Sequence, residues 1–161
     1  VRQSTSGAQQ QRTITSGETI MKRTASAVWS GGLKDGKGSI STQSGILDGA
    51  QYGFNTRFED GPGTNPEELI GAAHAGCFSM ALAAQLGEAG MTADSINTSA
   101  AVTLEKVDGG FSITAVHLEL RAKIPGATQE NFEAAANKAK LGCPVSKLLN
   151  ATITLDAKLI V

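Results

Sequence analysis

The chain has 161 residues, 40% of them hydrophobic, enough for one domain with a true core. Its formal charge of −1 gives no electrostatic case for binding nucleic acid or an acidic membrane surface. Two cysteines are too few to staple a secreted miniature domain, so a cytoplasmic protein with reduced thiols is expected.

Residues 1–20, VRQSTSGAQQQRTITSGETI, are polar and lack the apolar centre of a signal peptide. They read as a flexible extension or an expression remnant, and residues 21–161 as a single domain. Short β-prone stretches follow, KRTASAVWSGG and GKGSISTQSG, separated by Gly/Asp turns. ILDGAQYGFNTRF adds a DG turn and an aromatic run ending at Phe58, and EDGPGTNP, residues 59–66, breaks the pattern. Thr64 or Asn65 then caps a helix with Pro66 in first position, Glu67 and Glu68 in the first turn, and an end near Glu88 before Gly90. From Leu69 to Ala84 that helix carries no charge. It reads as too short and too rich in small residues for a bilayer, hence as a core helix buried nearly all round. Gly71 with Ala75, and Ala72 with Gly76, invite close contact with another long helix, such as the same one from a second subunit.

A hairpin comes next. Ala100, Val102 and Leu104 alternate, DGG at 108–110 turns the chain, and Val116, Leu118, Leu120, Ala122 and Ile124 alternate on the return. PGATQEN leads into a helix with Phe132, Ala135, Ala136 and Ala139 on one face and Gly142 at its end. Cys143-Pro144 opens a short third helix, and ATITLDAKLIV alternates as a last strand. This order of elements predicts an α+β fold with mainly antiparallel sheet.

The stretch GAAHAGCFSMALAA puts Cys77 deep in an apolar helix, where three readings are open. It is a small packing residue, a metal ligand, or a working sulfur. For a metal, His74 and Cys77 share one helix face and Cys143 offers a third ligand, but no fourth is evident. His117, beside Glu119 and Arg121, belongs to a solvated strand face. A thiol pair of Cys77 and Cys143 needs activation. Burial raises a thiol's pKa, and Cys77 lies too far inside its helix to profit from the N-terminus. An external cation must serve, and Arg57 in YGFNTRFED is the candidate, able to hold a thiolate and an alkoxide leaving a peroxide bond. Cys143, near a helix N-cap, suits a low-pKa leaving thiolate. Phe54, Phe58 and Phe78, with Tyr52 and Met80 near in sequence, suggest an apolar mouth beside the sulfur.

YGFNTRFE, GTNPEELIGAAHAGCFSMAL and LGCPVS, in this order, resemble the OsmC/Ohr family, and within it the OsmC (osmotically inducible protein C) branch. The resemblance runs from about Met21 to Val161. It implies a hydroperoxide reductase, an intertwined homodimer with two sheets wrapped around long central helices. It implies no metal or bound cofactor, reduction by an external dithiol such as lipoyl groups, and a role in stress response. Carried over, Cys77 is the peroxidatic cysteine, Cys143 the resolving one, and Arg57 and Glu67 the supporting polar residues. Cys77 then passes through a sulfenic acid to a Cys77–Cys143 disulfide. Gly76 stands where relatives often carry Ala. Glu67 and Cys77 are about 15 Å apart along one helix axis, so either the helix breaks near Gly71 or Glu67 serves the other subunit's site. The second is expected, with active sites at the dimer interface. The rival readings are a thiol–disulfide exchange enzyme and a redox-sensing or small-molecule-binding dimer without turnover.

Overall fold

The computed structural model describes residues 20–160. The expected extension 1–20 lies, apart from Ile20, outside the described residues. Strands β1 (Ala25–Ser30), β2 (Lys37–Thr42) and β3 (Ala50–Tyr52) form an antiparallel sheet in that order, with Ala27 opposite Ile40 and Ser39 opposite Gln51. Every residue of β1 is exposed. The aromatic run does not continue the third strand. Gly53 ends it, and Phe54–Phe58 forms a one-turn helix, α1, closed by the Thr56 hydroxyl bonding back to Gly53.

Helix α2 runs unbroken from Pro66 to Glu88. Of the two expected caps it is Asn65 that acts, its side chain accepting from the Glu68 amide at 2.8 Å while donating to the Thr56 carbonyl at 2.9 Å. One side chain therefore starts α2 and ties α1 to it. Gly90, at φ +71°, follows the end.

The hairpin is longer than its alternation suggested: β4 (Ser95–Val107) and β5 (Gly110–Lys123) pair Ala100 with Leu118 and Val102 with Val116. The connection after β5 holds α3 (Gln129–Gly142) and α4 (Pro144–Leu148), which bring the chain back to the end of the sheet where β5 began. The last strand, β6 (Thr152–Ile160), accordingly runs parallel to β5, an exception to the antiparallel pattern that follows from a crossover of this length. One face of the β4–β5–β6 sheet packs on α2 and α3. The core joins Phe78, Leu82 and Leu86 of α2 to Val116, Leu118, Leu120 and Ala122 of β5 and Phe132, Ala135, Ala136 and Ala139 of α3.

Within one chain α2 is not buried all round. Gly71, His74, Phe78, Leu82 and Leu86 are buried, whereas Ala72, Ala73, Gly76, Met80, Ala83, Ala84 and Gly87 form an exposed apolar stripe on the other side. Nor is α2 too short for a bilayer: its 23 residues contain an 18-residue window of mean hydropathy 1.4, enough by length and composition alone. The uncharged run in fact continues to Gly87, so the apolar span is longer than Leu69–Ala84. Its inner face nevertheless packs on β4, α3 and α4 as a core helix does.

Candidate active site

Cys77 lies about three turns into α2, on the flank of its buried face. Cys143 occupies the single residue between α3 and α4, where Pro144, lacking an amide proton, stops the first helix and starts the second. Packing of α2 against α3 and α4 sets the two sulfurs 2.9 Å apart, both free thiols. Cys143 is fully buried and Cys77 only partly. His74, one turn before Cys77, points its Nε2 at the Ser146 hydroxyl 2.8 Å away. Among the described residues no three His, Cys, Asp or Glu side chains converge as a metal site.

Arg57 and Glu67 meet in a forked pair. Nε and Nη2 of Arg57 both donate to the Glu67 carboxylate, the shortest contact being 2.7 Å. Because α2 is continuous, Gly71 makes no break in it. The pair belongs to the start of the helix, about 15 Å along the axis from the sulfur of its own chain. Phe54 and Phe58 stack with ring centres 4.8 Å apart, the Arg57 guanidinium lies 5.4 Å from the Phe58 centre, and Phe111, at the hairpin tip, stacks on Phe58 at 5.2 Å. Phe78 is elsewhere. It is wholly buried in the core and, within this chain, presents no surface to a substrate. His117 bonds Thr154 on the outer sheet face and takes no part.

The family model described as OsmC-like protein matches residues 59–158. The chain belongs to the OsmC-like family. It is 57% identical over 141 residues to peroxiredoxin OsmC of Escherichia coli (strain K12), covering 88% of this chain and 98% of that one. The crystal structure of organic hydroperoxide resistance protein OhrB of Bacillus subtilis superposes with a TM-score of 0.64 at 30% identity, over 84% of this chain and 98% of the other. An OsmC-like protein of unknown function from Vibrio cholerae gives a TM-score of 0.69 at 16% identity, over 86% and 99%, a likeness of fold alone.

Electrostatics divide the two thiols of this OsmC-like site. Burial pushes the Cys77 thiol up, and the neighbouring Cys143 sulfur pushes it further, against a small opposing effect of the Val145 amide. Burial would raise Cys143 too, but the Cys77 thiol, the amide and hydroxyl of Ser146 and the amide of Val145 outweigh it, and its pKa is lowered. With both thiols protonated, Cys143 donates to Cys77. Of the two thiols, Cys143 is therefore the more readily ionised. Helix α4 has only five residues, so these specific donors, rather than a helix dipole, produce the shift. Sequence reasoning passed over two residues here. Ser146 stands in LGCPVS, three residues after the cysteine, the spacing at which a helix's first turn faces its cap. Phe111 gave no sign beyond being a large apolar residue next to a turn.

Proposed function

We propose that this protein is a thiol peroxidase that reduces organic hydroperoxides to alcohols, with Cys77 as the attacking sulfur and Cys143 as the resolving one. Kinship with peroxiredoxin OsmC supports a peroxidase-type activity. The observation that carries the residue assignment is the 2.9 Å approach of a partly exposed sulfur to a buried one. A peroxide reaches Cys77 first, and Cys143 is already within reach of whatever forms there.

The Cys77 thiolate attacks the distal peroxide oxygen, the O–O bond breaks, and the alkoxide leaves as alcohol with a proton. Cys77 is now a sulfenic acid, oxidised by two electrons. The Cys143 thiolate attacks that sulfur, hydroxide departs and takes up a proton as water, and the Cys77–Cys143 bond forms. An external dithiol, lipoyl groups being one such class, returns the two electrons by exchange.

Burial and the Cys143 sulfur hold the Cys77 thiol above its ordinary range, so Cys77 needs a cation before it can attack. The Arg57–Glu67 fork is the fitting group, and its distance from its own chain's sulfur makes it the donor to a second copy. A homodimer in which the apolar stripe of α2 packs on its equivalent brings the fork of one protomer to the Cys77 of the other. Phe54 and Phe58 travel with Arg57 and supply an apolar wall for the alkyl group. A reduced dithiol pool places this cycle in the cytoplasm.

Intact-mass analysis of the reduced protein after one equivalent of cumene hydroperoxide tests the assignment. The expected result is loss of two hydrogens in the parent, one oxygen retained on Cys77 in Cys143→Ser, and no change in Cys77→Ser. Oxidation that proceeds equally without Cys77 would refute it. Repeated turnover with added dithiol separates the peroxidase from a redox sensor, which stops after one oxidation.

A further inference from the structure

His74 and Thr56 are the buried polar side chains among the described residues, and only Thr56 is accounted for by the backbone around it. The His74 ring is fully buried beside the working sulfurs; its Nε2 meets the Ser146 hydroxyl at 2.8 Å and its Nδ1 has no partner. That orphan fixes the tautomer. A buried N–H without an acceptor is costlier than a buried acceptor without a donor, so the proton sits on Nε2 and is donated to Ser146. The Ser146 hydroxyl proton is thereby free for another acceptor, and Cys143, three residues earlier at the head of α4, is the sulfur whose pKa that hydroxyl lowers.

We propose that His74 and Ser146 form a two-link hydrogen-bond relay, Nε2–H to Oγ and O–H to sulfur, that holds Cys143 as a thiolate when the disulfide is reopened. This rests on the reading of Cys77 and Cys143 as the working pair. Cys143 is fully buried, so an incoming dithiol strikes Cys77. Its thiolate bonds to the Cys77 sulfur, the Cys77–Cys143 bond breaks, and the electron pair leaves on Cys143. The second thiol of the reductant, losing its proton, then displaces Cys77 and closes the reductant's own disulfide. The departing charge on Cys143 has no water to receive it, and the relay takes that place. Burial lowers the His74 pKa, so the ring remains a neutral donor throughout. Both are positioning residues, acting through Cys143 rather than on the peroxide.

The test uses the Cys77→Ser protein, in which Cys143 is the remaining thiol, and follows thiolate ultraviolet absorbance against pH. Ser146→Ala raises the midpoint by about one pH unit, the size of a lost hydrogen bond to a charged group. His74→Leu raises it by less, and Ser146→Thr or His74→Gln, which keep a hydroxyl or an N–H in place, restore most of the shift. In the protein with both cysteines, Ser146→Ala slows reduction of the disulfide by dithiothreitol by about threefold. A Cys143 midpoint unmoved by Ser146→Ala, in a variant whose circular dichroism matches the parent, overturns the relay. The titration needs no peroxide, so it stands or falls separately from the peroxidase reading.

Discussion

Cys77 and Cys143 are chemically identical side chains made unequal by their neighbours. Cys77 is set on a helix interior, where amides are already spent on the helix itself, and Cys143 at a junction, where amides and a hydroxyl are free to face it. His74 shows the same logic from the other side, as a basic group kept neutral by burial. Its ordinary pKa of 6.5 is lowered in the folded chain. Above that value the ring is neutral in both states and its contribution to stability is complete. As pH falls through it, the unfolded chain takes up a proton that the folded chain refuses, and stability is lost. Urea unfolding should therefore give a midpoint that declines on going from about pH 7.5 to about pH 5.5. In His74→Gln the decline should be smaller. Equal slopes in the two would show that His74 takes up its proton as readily folded as unfolded.

At the scale of elements, α2 carries most of the consequence. Its two faces impose opposite demands on glycine. A Cβ placed on Gly71 would lie 3.1 Å from the Ala100 carbonyl and 3.6 Å from Val102, so the helix approaches β4 as closely as it does because nothing is there. A branched side chain must push the helix off the sheet, and Gly71→Val should destabilise the fold by about 2 kcal/mol in thermal or urea unfolding. At Gly76 nothing within 4 Å in the same chain would meet the new atom; in a monomeric variant, where that side of α2 stays bare, Gly→Ala should stabilise by about 0.5–1 kcal/mol through helix propensity. Similar effects of both substitutions would contradict the one-sided packing of α2. The sequence displayed the features that are local. Asn65, Pro66 and Gly90 bounded α2, the Phe132–Ala139 face marked α3, and alternation marked β5, because each is written within a few residues of chain. What it concealed depends on residues distant in sequence: the parallel pairing of β6, the bare side of α2, the salt bridge from α1 to Glu67, and the meeting of His74 with Ser146. For the site, the resemblance singled out Cys77, Cys143, Arg57 and Glu67. Only the folded chain shows that Cys77 lies beside Cys143, that Arg57 lies beside Glu67, and that Phe78 is core.

Among the described residues, two surfaces of the chain are left uncovered. Its β1–β2–β3 sheet has an entirely exposed first strand and packs extensively on no other element among the described residues, and α2 shows solvent an unbroken stripe of Ala, Gly and Met80, itself 76% exposed. In the homodimer proposed above, a second copy related by a two-fold axis would cover the stripe with itself, since such an interface is self-complementary. The same axis would carry each Arg57 across to the other Cys77. This crossing is testable by mixing two inactive proteins. Arg57→Ala keeps its cysteines but has no cation to lend; Cys77→Ser keeps Arg57 but has no sulfur to receive one. In a mixed dimer one site inherits both defects, and the other combines an intact Cys77 with an intact Arg57 from across the interface. If equal amounts are unfolded together and re-associate at random, half the dimers are mixed and each has one good site, so about one quarter of the parent peroxidase activity should return. An Arg57 that served its own chain would leave every site defective, and the mixture would remain as inactive as its components. Met80→Glu, which buries a charge in the stripe, should yield a monomer by analytical ultracentrifugation with both cysteines present and peroxidase activity lost. A fully active monomer would place the whole site within one chain.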